Sequence, residues 1–115
     1  WLPKDARAAI RIAPAAVGAP PLLSVEEVAT LIRRGEEFLR AGDVPSARIA
    51  LRRAVAEGNA KAALLLGATF DPLLLAEHGV IGFASDPVQA RSWYQRAAEL
   101  GAPEAPRRLE RLAGL

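Results

Sequence analysis

The chain contains no cysteine, so neither a disulfide framework nor a thiolate metal site can form, and cysteine usage leaves its redox compartment open. It also has no methionine and opens on Trp1, and the expectation is a part excised or processed from something longer. Aromatic residues are scarce, 5% against 51% apolar overall. The core must therefore be built from Leu, Ala, Val and Ile, which favours helices over sheets. No window reaches the roughly 18 apolar residues of a membrane span, and no basic start followed by an apolar core marks a signal peptide. The expectation is a soluble piece, cytoplasmic or periplasmic, with no membrane insertion. Charge of one sign is lacking too. The 15 basic residues, all but two of them Arg, face 13 acids for a net charge of +2. They are interleaved with Glu rather than clustered, which argues against a nucleic-acid partner.

What is present is a series of helix starts and stops in a chain of 115 residues, enough for one domain with a modest core. Residues 1–23 carry Pro3, Pro14, Pro20 and Pro21 among small residues, a spacing that breaks helices and favours extended backbone. This leader reads either as a linker or, through Trp1, Leu2, Ile10, Ile12 and Val17, as a strap along the domain; a short helical turn around Asp5 to Ile10 fits as well. The folded domain, 24–115, begins at Ser24 with Glu27 three residues on, a reciprocal capping box, and with Leu23 and Val28 as its hydrophobic staple. Val28, Leu31, Ile32, Gly35, Phe38 and Leu39 give one apolar face up to Gly42. On the wet side Arg33 with Glu37, and Glu36 with Arg40, stand four apart.

Asp43 caps a second helix with the stripe Ala47, Ala50, Leu51, Ala54 and Val55, ending at Gly58. The two-residue link makes the pair an antiparallel hairpin. Asn59 caps a third helix, through Leu66-Gly67 to Phe70, and Asp71-Pro72 stops it and starts a short one to about Glu77. Asp86-Pro87 opens the next long helix, Gly101 closes it, and a last helix runs to about Leu112 with Pro106 in its first turn.

Sliding the sequence by 43 residues superposes Asp43 on Asp86, Ala47 on Ala90, Arg48 on Arg91, Ala54 on Ala97, Gly58 on Gly101 and Ala62 on Ala105. The helices before them align at an offset of 32, Gly35 on Gly67 and Phe38 on Phe70, which leaves an 11-residue insertion within residues 71–85. Ala62, Leu66-Gly67, Phe70, Gly79-Val80, Asp86, Ala90-Arg91, Trp93-Tyr94, Ala97-Ala98, Gly101 and Ala105 carry a specific pattern. On these residues the chain resembles the Sel-one-like repeats, a subclass of the tetratricopeptide repeats. The resemblance implies an all-α fold, a short right-handed superhelix (solenoid) of about two helical-hairpin repeats and a capping helix. Repeat 1 spans about 24–58, repeat 2 about 59–101 and the cap 102–113. Two departures stand out: the apolar helix Asp71 to Leu75 has no place in a plain repeat, and the stretch from Val80 to Asp86 is longer than usual.

The pattern also makes packing sense. Gly35 and Gly67 allow helices to approach closely, alanines do the same on the partner helix, and of Trp93 and Tyr94 one fills the hairpin and the other the seam between units. Arg107, Arg108, Glu110 and Arg111 are expected on the wet side of the cap.

No catalytic set can be assembled. His78 stands at a helix end, where an imidazolium meets the negative end of the dipole. Ser24, Ser46, Ser85 and Ser92 lie at caps or on helix faces, the neighbouring glutamates Glu26-Glu27 and Glu36-Glu37 point apart, and no glycine-rich phosphate loop is present. The chain therefore reads as a non-enzymatic interaction or scaffolding module without a cofactor or metal. By the family resemblance the first helix of each hairpin lines the concave side, which exposes Arg33, Arg34, Glu37 and Arg40, with Phe70 near the rim, to a protein or peptide partner. The apolar insertion, Leu73 to Phe83, is a second candidate surface. The alternative is a spacer or self-association domain, with the leader packed in cis or in trans as in a homo-oligomer.

Overall fold

In a computed structural model of the chain, residues 22–80 and 85–115 are described; the calls on residues 1–21, and on the part of the insertion at 81–84, lie outside them. The described residues form six α-helices: α1 (Val25–Arg40), α2 (Val44–Val55), α3 (Ala60–Ala68), α4 (Pro72–Glu77), α5 (Pro87–Glu99) and α6 (Ala105–Ala113). The all-helical class expected from the sequence is observed.

The starts follow from side chains that satisfy the free amides of a first turn. Ser24 and Glu27 form the full capping box on α1, and Asp43, Asn59, Asp71 and Asp86 each accept a backbone N–H from the turn that they open. α6 has no side-chain cap and begins later than expected, after a turn at 102–104. Gly42, Gly58 and Gly101 take positive φ at the helix ends, a conformation that costs a side-chain-bearing residue about 1 kcal/mol or more. The expected i,i+4 pairs on α1 are absent. Glu36 reaches instead across to Lys61 of α3 at 3.6 Å, because its position turns toward α3 rather than along its own helix.

α1 packs on α2, α3 on α5, α2 on α3, and α6 closes on α5. In the first pair a Cβ added to Gly35 would sit 2.7 Å from Leu51; in the second, a Cβ on Gly67 would sit 2.6 Å from the ring of Tyr94. The turns after the two glycine helices also correspond: the Asp43 amide donates to the Phe38 carbonyl, and the Asp86 amide to the Phe70 carbonyl, both at 2.8 Å. The chain thus leaves α3 at Phe70, makes α4, and returns to the same carbonyl. One buried cluster runs from Leu39 and Leu51 through Leu66, Phe70 and Tyr94 to Leu112. A smaller one joins Val28, Ile32, Ala54 and Ala62, with Leu23 of the expected staple packed on it.

Candidate functional site

α1 turns about 100° per residue, and that rotation sorts four of the five residues singled out from the sequence. Val28, Ile32, Gly35 and Leu39 are buried. Arg33, Glu37 and Arg40, all exposed, lie within about 60° of one another on the opposite side. Arg34 is exposed as well, but it stands about 60° round the helix from Glu37 and about 100° or more from Arg33 and Arg40. It lines two grooves on the edge of the α1–α2 pair that faces away from α3. One, of about 390 Å³, is formed by Leu23, Glu26, Glu27, Thr30, Leu31, Arg34 and Arg53. The other, of about 520 Å³, includes Leu31, Arg34, Glu37, Phe38, Ile49 and Ala50. Four of the five candidates are therefore open to a partner, on two adjoining faces rather than one.

The fifth is not open. Phe70, expected near the rim, is 4% exposed, because the guanidinium of Arg48 lies 3.9 Å above its ring centroid and the core lies beneath it. Arg48 Nη2 donates to the Thr69 carbonyl at 2.7 Å, and Nε to the Thr69 hydroxyl at 3.3 Å. The Thr69 hydroxyl in turn donates to the Leu66 carbonyl at 2.6 Å. Burial, with Arg52 close by, lowers the pKa of Arg48, and the charge of Asp86 offsets part of that shift. Arg48 is thus a clasp from α2 onto the end of α3. The sequence alignment paired it with Arg91, which is exposed, so no signal in the repeat pattern announced this role.

A second buried polar link joins the insertion to α5. Asp71 is 2% exposed; its Oδ1 accepts the Leu73 and Leu74 amides and its Oδ2 accepts the Tyr94 hydroxyl at 2.6 Å. Tyr94 has no exposed surface. Burial first, then the bond to the Asp71 carboxylate, push its pKa well above the usual phenol value. From the sequence, Asp71 reads only as a helix stop and start; its tie to a tyrosine 23 residues away has no local signature. Trp93, by contrast, is half-buried against the edge of the cluster, so the tyrosine is the one that fills the interior beside Gly67.

On the last helix, Arg107, Glu110 and Arg111 are exposed as expected, but Arg108 is not on the wet side. Its side chain is 20% exposed, with its guanidinium carbon 5.7 Å from the Tyr94 ring centroid and Nη2 on Glu104 at 3.2 Å. The ring of Tyr94 draws the cation over the helix end. Arg111 meets Glu77 of α4 at 2.7 Å, and that bond raises its pKa. His78 ends α4, exposed, its amide on the Leu74 carbonyl. Among the described residues no three His, Asp or Glu side chains converge as metal ligands, and no helix is long and apolar enough to cross a membrane.

No family model matches the chain, and neither a curated protein nor a solved structure is significantly similar to it.

Proposed function

We propose that the chain is a non-enzymatic helical-repeat module of the Sel-one-like kind, two hairpins and a capping helix set in a short right-handed superhelix, which binds a protein or peptide segment. The observation that carries this reading is the recurrence of one packing device. A bulky side chain closes on a helical glycine in α1–α2 and again in α3–α5, and a Phe carbonyl takes an Asp amide after both glycine helices. A unit repeated this way stacks with its neighbours and leaves its first helices facing one side.

The partner surface is the outward side of α1, where Arg33, Glu37 and Arg40 stand together and Arg34 marks the edge. Exposed guanidinium forks suit carboxylates and peptide carbonyls. Phe70, being buried, drops out of the set. The test is recovery of bound protein by the purified chain and by an Arg33→Ala, Arg34→Ala, Arg40→Ala variant of the same stability. Loss of specific partners in the variant supports the face, and unchanged recovery removes it.

A further inference from the structure

α1 carries a second stripe beside its buried one. Glu27, Leu31, Arg34 and Phe38 recur at spacings of four, three and four residues, which places them within about 60° of one another. That spacing is the one by which two helices pack along their length. α2 extends the stripe into an edge: these four residues, with Ile49, Ala50 and Arg53 of α2, wall the two grooves. Leu31 and Phe38 are half-buried and Ile49 is exposed, so the edge is an apolar surface that gains from being covered.

Its charges say by what. Arg53 is held by Glu57 at 3.0 Å. Glu27 accepts the Ser24 amide with one carboxylate oxygen, Oε1, at 3.1 Å, and Arg34 makes no ion pair among the described residues. Glu27 and Arg34 are opposite in sign and seven residues apart, which is two turns and about 10 Å along one line of the helix. A two-fold axis midway between them, at the level of residues 30 and 31, sets Arg34 of each copy against Glu27 of the other. The same axis brings Phe38 level with Leu23 of the second copy, since 23 and 38 stand equally far from it. It also turns the second groove of one copy, with Ile49, onto the first groove of the other. We propose that the α1–α2 edge is a homodimer interface, in which two copies pack α1 against α1 in antiparallel fashion about this axis.

A second copy is the occupant because the edge is its own complement, which is what an isologous contact requires. Head-to-tail stacking is disfavoured by the other end of the molecule. There α6 exposes Arg107, Glu110 and Arg111, and charges laid into an apolar groove lose hydration without a partner. Arg33 and Arg40, on the outward side of α1, stay outside the contact. The pairing therefore goes beyond the partner face proposed above and does not depend on it.

Sedimentation equilibrium of the full chain, with no other protein present, reads the pairing. The native chain should be dimeric at about 100 µM. Arg34→Glu sets carboxylate against carboxylate at both contacts and should weaken the dimer at least roughly thirtyfold. Glu27→Arg sets guanidinium against guanidinium and should do the same, helix content being matched beforehand by circular dichroism. Mixed in equal amounts, the two variants are complementary again and should dimerise nearly as well as the native chain. A variant that had merely lost its fold could not do so. Arg91→Glu, exposed on α5, changes the net charge as Arg34→Glu does and should leave the dimer intact. A native chain that stays monomeric at that concentration leaves the edge to another protein and overturns the proposal. A dimer indifferent to Arg34→Glu, one lost equally with Arg91→Glu, or a mixture of the two complementary variants that stays monomeric overturns it as well.

Discussion

Gly67→Ala is the most severe small change that the geometry offers. The added methyl carbon lies 2.6 and 2.7 Å from Tyr94 Cδ1 and Cε1, and 3.3 Å from the Ala90 carbonyl. Carbon contacts settle near 3.5–4.0 Å, so the ring has to retreat by about 1 Å. It has nowhere to go, having no exposed surface and a hydroxyl held 2.6 Å from Asp71. Alanine gains about 1 kcal/mol over glycine in a helix interior. Against that, overpacking costs about 1–3 kcal/mol, and loss of a buried bond to a charged group about 1.5–3 kcal/mol. The expected net loss is about 2–4 kcal/mol, or a fall of about 10–20 °C in Tm for a domain of this size. Urea and thermal unfolding followed by circular dichroism measure it. Gly35→Ala is the matched comparison: its methyl meets Leu51 at 2.7 Å, an aliphatic side chain with no polar anchor, and the net cost should stay below about 1.5 kcal/mol. A Gly67→Ala protein as stable as the parent, or less damaged than Gly35→Ala, would refute the close-packed glycine as the organising contact.

Three further outcomes follow from the same contacts. Tyr94→Phe leaves Asp71 Oδ2 without the hydroxyl it accepts, and should lower stability by about 1.5–3 kcal/mol in urea unfolding; no loss would show that the bond is not made in solution. Tyr94 is the sole tyrosine, and its raised pKa means that the folded state holds a proton which the unfolded state gives up. Its contribution is therefore complete below about pH 10 and is lost as pH rises above that value, by up to about 1.4 kcal/mol per pH unit. Tyrosinate absorbance should then appear together with loss of helix, whereas absorbance rising around pH 10 in an intact helical protein contradicts it. Arg48→Ala should cost about 1–2 kcal/mol by freeing the Thr69 carbonyl and uncovering Phe70, and Arg48→Lys should recover little of it, since the two donors to Thr69 need a planar fork; full recovery by lysine in denaturant titrations would count against the clasp.

The helices were legible because their boundaries are local chemistry. Ser24-Glu27, Asp43, Asn59, Asp71-Pro72 and Asp86-Pro87 cap in the structure as the sequence indicates, and Gly42, Gly58 and Gly101 end helices with positive φ. The contact glycines were legible too, since a glycine inside an apolar stripe has few reasons other than close approach. What stayed hidden depends on groups far apart in sequence. Phe70 is on a stripe that could have ended at a rim; it is buried because Arg48, 22 residues earlier, lies across it. Arg108 belongs to a run of charges, and only the placing of Tyr94 under α6 turns it inward. Of the candidate face, exposure was read correctly for Arg33, Arg34, Glu37 and Arg40, but the split that sends Arg34 to the grooves needed the position of α2.

The two ends of the helical stack are finished differently, and that difference bears on where binding capacity lies. At the trailing end α6 lays Ala105 and Leu112 into the main cluster, and Arg111 ties it to α4 through Glu77. The excursion through α4 leaves the hairpin beside it undisturbed, because the Asp86 amide returns to the Phe70 carbonyl as Asp43 does to Phe38. Most apolar side chains of α6 are covered in this way, although Arg108 Nη1 is buried without a hydrogen-bond partner and Leu115 stays exposed. At the leading end Leu31 and Phe38 remain half-buried and Ile49 is 71% exposed. Apolar surface of this kind gains most from being covered. Whatever occupies it also adjoins Arg34 and Glu37, so covering the edge and presenting the outward face of α1 are coupled through the same turn of helix.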